Sequence, residues 1–205
     1  MKIYINQKGK MALKRINKKT TVKNYLDEID SFLKKHPNSC FTCQNNCCAR
    51  DWNIELDIVF YNRLIKNGLY NKKIEDYILI NKLNRPVFKD TPCQFLNFNN
   101  LCSIYPKRPF ICRAYNCKQE SDNYKIIRDF ILEALNFSLF IKLQTAAEKR
   151  EKTVRNRNEC DLDINEKNLP LNISDYKKIN IYELIKSVEN VLVDYRYDRF
   201  LSYFS

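Results

Sequence analysis

The sequence predicts a mainly α-helical small domain with a short β-hairpin inside a cysteine-rich metal-binding region. Three observations carry that expectation. Apolar residues recur at helical spacing in five segments. Eight of the nine cysteines fall in two dense groups between Cys40 and Cys117. Two short apolar runs, Phe95–Phe98 and Leu101–Tyr105, flank an Asn99-Asn100 pair, and asparagine tolerates the left-handed angles a hairpin turn requires.

The elements follow in order. Residues 1–19 carry seven cations and no acid, and are expected to be a basic, solvated tail. Thr21 can cap a helix whose stripe is Val22, Tyr25, Leu26, Ile29, Phe32 and Leu33, stopped at His36-Pro37. A second helix is expected over Asp57–Asn67, closed by Gly68, and a third over Lys72–Asn84, ending before Pro86. The longest runs from Tyr124 to Glu151, with Ile127, Phe130, Ile131, Leu135, Leu139 and Leu143 on one face. After a charged loop, Lys152–Asn168, a last helix is expected over Ile181–Asp194. The chain then divides into the tail (1–19), a cysteine-cluster domain (20–150), and a charged loop with a C-terminal helix packing on it (151–205).

Composition narrows the function. The 205 residues are 44% hydrophobic and 29% charged, enough for a core and too polar for a membrane-embedded protein. Gly9 and Gly68 are the two glycines, so a phosphate-cradling loop has no material to be built from. The segment Ala134–Ile141 is too short to span a bilayer. No signal-peptide pattern opens the sequence, so a cytoplasmic location is expected, with no membrane partner. In that compartment clustered cysteines are more often metal ligands than disulfides. The net charge of +12 leaves nucleic-acid contact through the tail open but not favoured.

The first cysteine group, Cys40, Cys43, Cys47 and Cys48, has the pattern C-x2-C-x3-C-C. The second, Cys93, Cys102, Cys112 and Cys117, has C-x8-C-x9-C-x4-C. Short spacings let two thiolates converge on one ion. The adjacent Cys47-Cys48 side chains diverge, which is awkward for one tetrahedral ion and suits two metal positions. Eight thiolates match two four-thiolate sites, of zinc, of iron, or of iron as a [4Fe-4S] cluster, and ligand type alone does not separate these metals. Cys160 lies outside both groups, and His36, the single histidine, is expected to cap a helix. Arg108 and Arg113 flank Cys112 and could offset thiolate charge, while Tyr105 and Tyr115 could cover the site or sit in the core.

The motif at Cys40–Cys48, followed by Cys93, Phe95, Leu96, Cys102, Ile104, Tyr105, Arg108, Pro109, Cys112, Arg113 and Cys117, resembles the YkgJ-type bacterial cysteine-cluster family of zinc- or iron-chelating domains. The resemblance covers about residues 38–120, including the apolar link Ile54–Leu64. Asn116 departs from it, standing where the family often has proline. The resemblance implies that the eight cysteines are the metal ligands. Relatives of the family include flagellin lysine N-methylases that use S-adenosylmethionine, so an enzyme of that kind is one alternative. A zinc-stapled adaptor for nucleic acid or protein is another. No catalytic base or nucleophile motif is visible, and neither a catalytic residue nor a protein partner can be assigned.

Overall fold

Between the N-terminal lysines lie Ile3, Met11, Leu13 and Ile16, and these apolar side chains decide what the segment does. In the computed structural model, which describes residues 1–36, 54–66, 78–82, 85–89, 92–99, 101–116, 118–151 and 169–188, they belong to a hairpin. Strands β1 (Ile3–Ile5) and β2 (Met11–Leu13) pair antiparallel, Ile3 opposite Leu13. Gly9 makes the turn at φ 70°, a left-handed angle that costs other residues a clash at Cβ. Ile3, Met11, Ala12, Leu13 and Ile16 are buried, while Lys2, Lys8, Lys14, Arg15, Lys18 and Lys19 stay exposed. Residues 1–19 are therefore not a solvated tail. Their charges coat the outside of a packed hairpin. Met11→Ala is expected to lower stability by about 2–5 kcal/mol, the usual cost of truncating a fully buried methionine. Unfolding in urea measures it, and an unchanged midpoint would restore the tail reading.

Helix α1 (Val22–Lys35) starts where the cap residue predicts. The Thr21 side chain accepts from the Asn24 N–H and Asn24 reaches back to the Thr21 N–H, which satisfies two donors the helix leaves free. It ends at His36, whose N–H donates to the Phe32 carbonyl and whose ring lies 4.6 Å from that of Phe32. His36 is thus a cap. Helix α2 (Ile58–Lys66) follows Asp57 as expected, and Gly68 lies outside the described residues.

The third expected helix is overturned in part. Residues Ile78–Ile80 form strand β3, paired antiparallel with β4 (Pro86–Phe88). The run Ile78-Leu79-Ile80 suits a pleated surface, and a neighbour further back decides the outcome. Leu56 N–H donates to the Pro86 carbonyl and Phe88 N–H to the Ile54 carbonyl, so residues 54–56 lie along the outer side of β4. Residues 72–77 and 83–84 of that expected helix lie outside the described set.

Helix α3 (Phe110–Ala114) is short, and α4 (Asp122–Glu151) is the axis of the fold. Its stripe of Ile127, Phe130, Ile131, Leu135 and Leu139 is buried, and it touches α2, α3, α5, β2 and β4. Helix α5 (Ile181–Lys186) begins at the expected residue, capped by Asn180, whose side chain accepts from the Glu183 N–H. The starts of α1 and α5 are tied together: Val22 N–H donates to the Ile179 carbonyl and Ile181 N–H to the Thr20 carbonyl. The loop Lys152–Asn168 and the chain beyond Val188 lie outside the described residues. About half of the described residues are helical, in five α-helices beside two two-stranded sheets, so the mainly α expectation holds. No helix among them is long and apolar enough to cross a membrane.

Candidate metal centre

Cys93 and Cys102 sit on the two arms of a hairpin loop. The expected pair of strands is reduced to one bridge, Leu96 opposite Cys102, with Ser103 N–H donating to the Phe95 carbonyl and Asn97 N–H to the Leu101 carbonyl. The turn is organised by Asn97. Its Oδ1 accepts from the Asn99 and Leu101 N–H groups, both at 2.9 Å, a side-chain substitute for further ladder bonds. Asn100 lies outside the described residues.

Phe95 fastens this loop to the domain. Its ring meets Phe88 at 5.5 Å and Phe60 at 6.2 Å, both edge-on, joining the loop to β4 and α2. Both thiols are half-buried, and none of Cys93, Cys102 and Cys112 is in a disulfide. Burial pushes the Cys93 thiol up, a hydrogen bond from the Phe95 backbone pulls it partly back, and the neighbouring Cys102 thiol pushes it up further.

Cys112 rides on α3, which is clamped at both ends. At its start, the Phe110 N–H donates to Oδ2 of Asp57 at 2.8 Å. At its end, the Tyr124 hydroxyl donates to the Ala114 carbonyl at 3.0 Å. Arg113 is held by Asp30 and, at 3.9 Å, by Asp27, both on α1. The acids of α1 therefore engage Arg113, a job distinct from the thiolate neutralisation expected of it. Arg108 lies 3.6 Å over the Tyr105 ring and donates to the Tyr105 carbonyl. Tyr105 and Tyr115 are exposed, so neither is core. Asn116 is buried, accepts from the Lys118 N–H and donates to Glu120 at 3.3 Å, a local turn that a proline there would lack.

Asp57 is the positioning residue that motif reading misses. Its carboxylate is fully buried and accepts from the Val59, Phe60 and Phe110 N–H groups and from the Tyr176 hydroxyl. Burial raises its pKa, and the hydrogen bonds from Phe110, Phe60 and Tyr176 oppose that rise. One side chain thus joins the starts of α2 and α3 to the C-terminal segment. The signal in the sequence is an acid directly before the apolar run Ile58-Val59-Phe60, the mark of a helix cap. Nothing local points to Tyr176.

The donor set fits a soft metal. Two half-buried thiols sit in an uncharged loop, and a backbone N–H already donates to one of them. The buried Nε2 of Gln94, next to Cys93, has no hydrogen-bond partner. An anionic metal–thiolate group is the kind of acceptor such donors serve. Among the described residues, no three His, Cys, Asp or Glu side chains converge into a complete ligand set. Cys40, Cys43, Cys47, Cys48 and Cys117 lie outside those residues, as does Cys160.

Residues 39–130 match the model of the CxxCxxCC family, described as a "putative zinc- or iron-chelating domain". The match covers 92 of the chain's 205 residues, which makes this segment similar to the CxxCxxCC domain. The match takes in both cysteine groups and runs into α4, and it leaves out His36 and Cys160. It supports metal binding by the CxxCxxCC segment. The family name spells two residues between the second and third cysteines, whereas three separate Cys43 from Cys47 here. No curated protein and no solved structure matches the chain.

Proposed function

We propose that the CxxCxxCC segment holds zinc or iron through eight thiolates, Cys40, Cys43, Cys47, Cys48, Cys93, Cys102, Cys112 and Cys117. The observation that carries this is the placement of Cys93 and Cys102 as half-buried thiols on the two arms of one hairpin within the matched family segment. Eight thiolates provide for two four-coordinate sites. The adjacent Cys47-Cys48 pair favours a [4Fe-4S] cluster in one of them, because several iron atoms accept ligands arriving from different directions. Bound there, a cluster supplies electron transfer and a zinc ion supplies structure. The chain's own part is to position thiolates: Phe95 fixes the hairpin, Asp57 and Tyr124 fix α3, and Arg113 ties α3 to α1.

The test is metal content by variant. Cys43→Ser and Cys112→Ser should each lose at least one equivalent of metal, and Cys160→Ser none. Unchanged metal in the first two variants defeats the ligand assignment. Protein purified without oxygen should be brown and carry acid-labile sulfide. Colourless protein with two zinc equivalents keeps the thiolate centre and removes the cluster.

A further inference from the structure

The hairpin that carries Cys93 and Cys102 ends in an unusual tip. Phe98 is 94% exposed, and Leu101 beside it is 42% exposed. Asn97 braces the turn with two hydrogen bonds to its side chain and one between backbones, so a large apolar group is held out into water. From Pro92 to Pro106 no residue is charged, and Lys107 and Arg108 follow at once. Arg108 is stacked on Tyr105, which is 57% exposed. The sequence therefore orders an apolar tip, an aromatic at the hairpin base, and cations behind it, on a chain of net charge +12.

We propose that this hairpin is a membrane-surface anchor, which sinks Phe98 and Leu101 into the interface of a bilayer rich in anionic lipid while Lys107 and Arg108 meet the headgroups. Each feature has a use in that setting. An uncharged loop can leave water without burying a charge. Tyrosine suits the headgroup level. Basic residues behind an apolar tip add attraction to anionic lipid. The occupant is argued from shape and charge together. A nucleic-acid platform wants cations level with the ring so that phosphates are met as bases stack, and the tip has none. A protein hot spot sits at the centre of a broad packed patch, whereas Phe98 projects between the exposed, polar Asn97 and Asn99. This anchoring lies on one surface of the bilayer and needs no spanning helix. It stands apart from the metal assignment.

The experiment uses the full chain, purified without oxygen, and vesicles of equal parts phosphatidylglycerol and phosphatidylcholine beside vesicles of phosphatidylcholine alone. The protein should sediment with the anionic vesicles and be released by high salt. Phe98→Asp should weaken this binding at least about tenfold, because it puts a carboxylate where an apolar ring enters the lipid, with metal content and circular dichroism unchanged. Phe98→Trp, a second variant, should show blue-shifted emission with the anionic vesicles and none with the neutral ones. The proposal is overturned if the protein does not sediment, if Phe98→Asp binds as well as the parent chain, or if Phe98→Trp emission does not move. It is equally overturned if Phe98-dependent binding is found only for a single-stranded oligonucleotide.

Discussion

Replacing Asp57 with alanine is expected to cost at least about 4 kcal/mol, since each buried donor left without an acceptor costs roughly 1–3 kcal/mol. Four donors are at stake: the Val59, Phe60 and Phe110 N–H groups and the Tyr176 hydroxyl. Against a total stability of about 5–15 kcal/mol, a loss of that size removes from roughly a quarter to most of the stability. Asp57→Asn keeps one acceptor oxygen and turns an amide N–H₂ towards donors, so it should recover only part. Urea unfolding of the three proteins gives the ranking, and a loss under about 1 kcal/mol for alanine would show that Asp57 is no hub. The pH dependence has a definite sign. Burial raises the Asp57 pKa above its ordinary 3.8. The folded state therefore takes up the proton more readily than the unfolded one. The proton-linked part of Asp57's contribution is full below the unfolded value and is lost as pH rises through the raised folded value. Parent stability minus that of Asp57→Asn should grow as pH falls from 7 towards about 4. A flat difference would place Asp57 at its ordinary value.

Removing the metal is the second large effect. Structural thiolate sites in zinc-finger peptides contribute roughly 10–16 kcal/mol of apparent binding energy. Here the proposed ligands on the hairpin and on α3 are spaced along the chain. The proposed metal would join these to the first cysteine group. The core built on α1, α4 and β2 has its own buried side chains and should keep its helices. Chelation under reducing conditions should then lower the melting temperature by more than about 10 °C, since 1 kcal/mol shifts a chain of this size by roughly 2–4 °C. Helical circular dichroism should fall by much less than the melting temperature suggests. A chelated sample that melts like the untreated one would show that the metal holds nothing together.

What can be read from the sequence is local. Thr21 and the acid before Ile58 announce the starts of α1 and α2 because capping depends on residues within one turn. The stripe of α4 is legible because it spans many turns. Residues 78–80 mislead because their apolar run fits either period, and the choice is made by pairing with β4 and residues 54–56. The N-terminal segment misleads because counting its lysines hides the buried residues between them. Met11 exchanges backbone hydrogen bonds with Gln119 and Ser121, partners more than a hundred residues away. The cysteine groups stand out because thiolates that share an ion need short spacings. Which thiolates share an ion depends on how the groups meet in space, and so does the reach of Asp57 to Tyr176. The exposure of Phe98 is set by a turn that Asn97 organises, two residues ahead of the Asn99-Asn100 pair that suggests the hairpin.

X-ray absorption at the zinc and iron edges of anaerobically purified, full-length protein tests the all-thiolate centre most directly. The account predicts bound metal whose first shell is sulfur alone, about four per ion, at about 2.3 Å if the metal is zinc. Metal surrounded mainly by oxygen and nitrogen, or protein that folds and purifies with no metal at all, would contradict it.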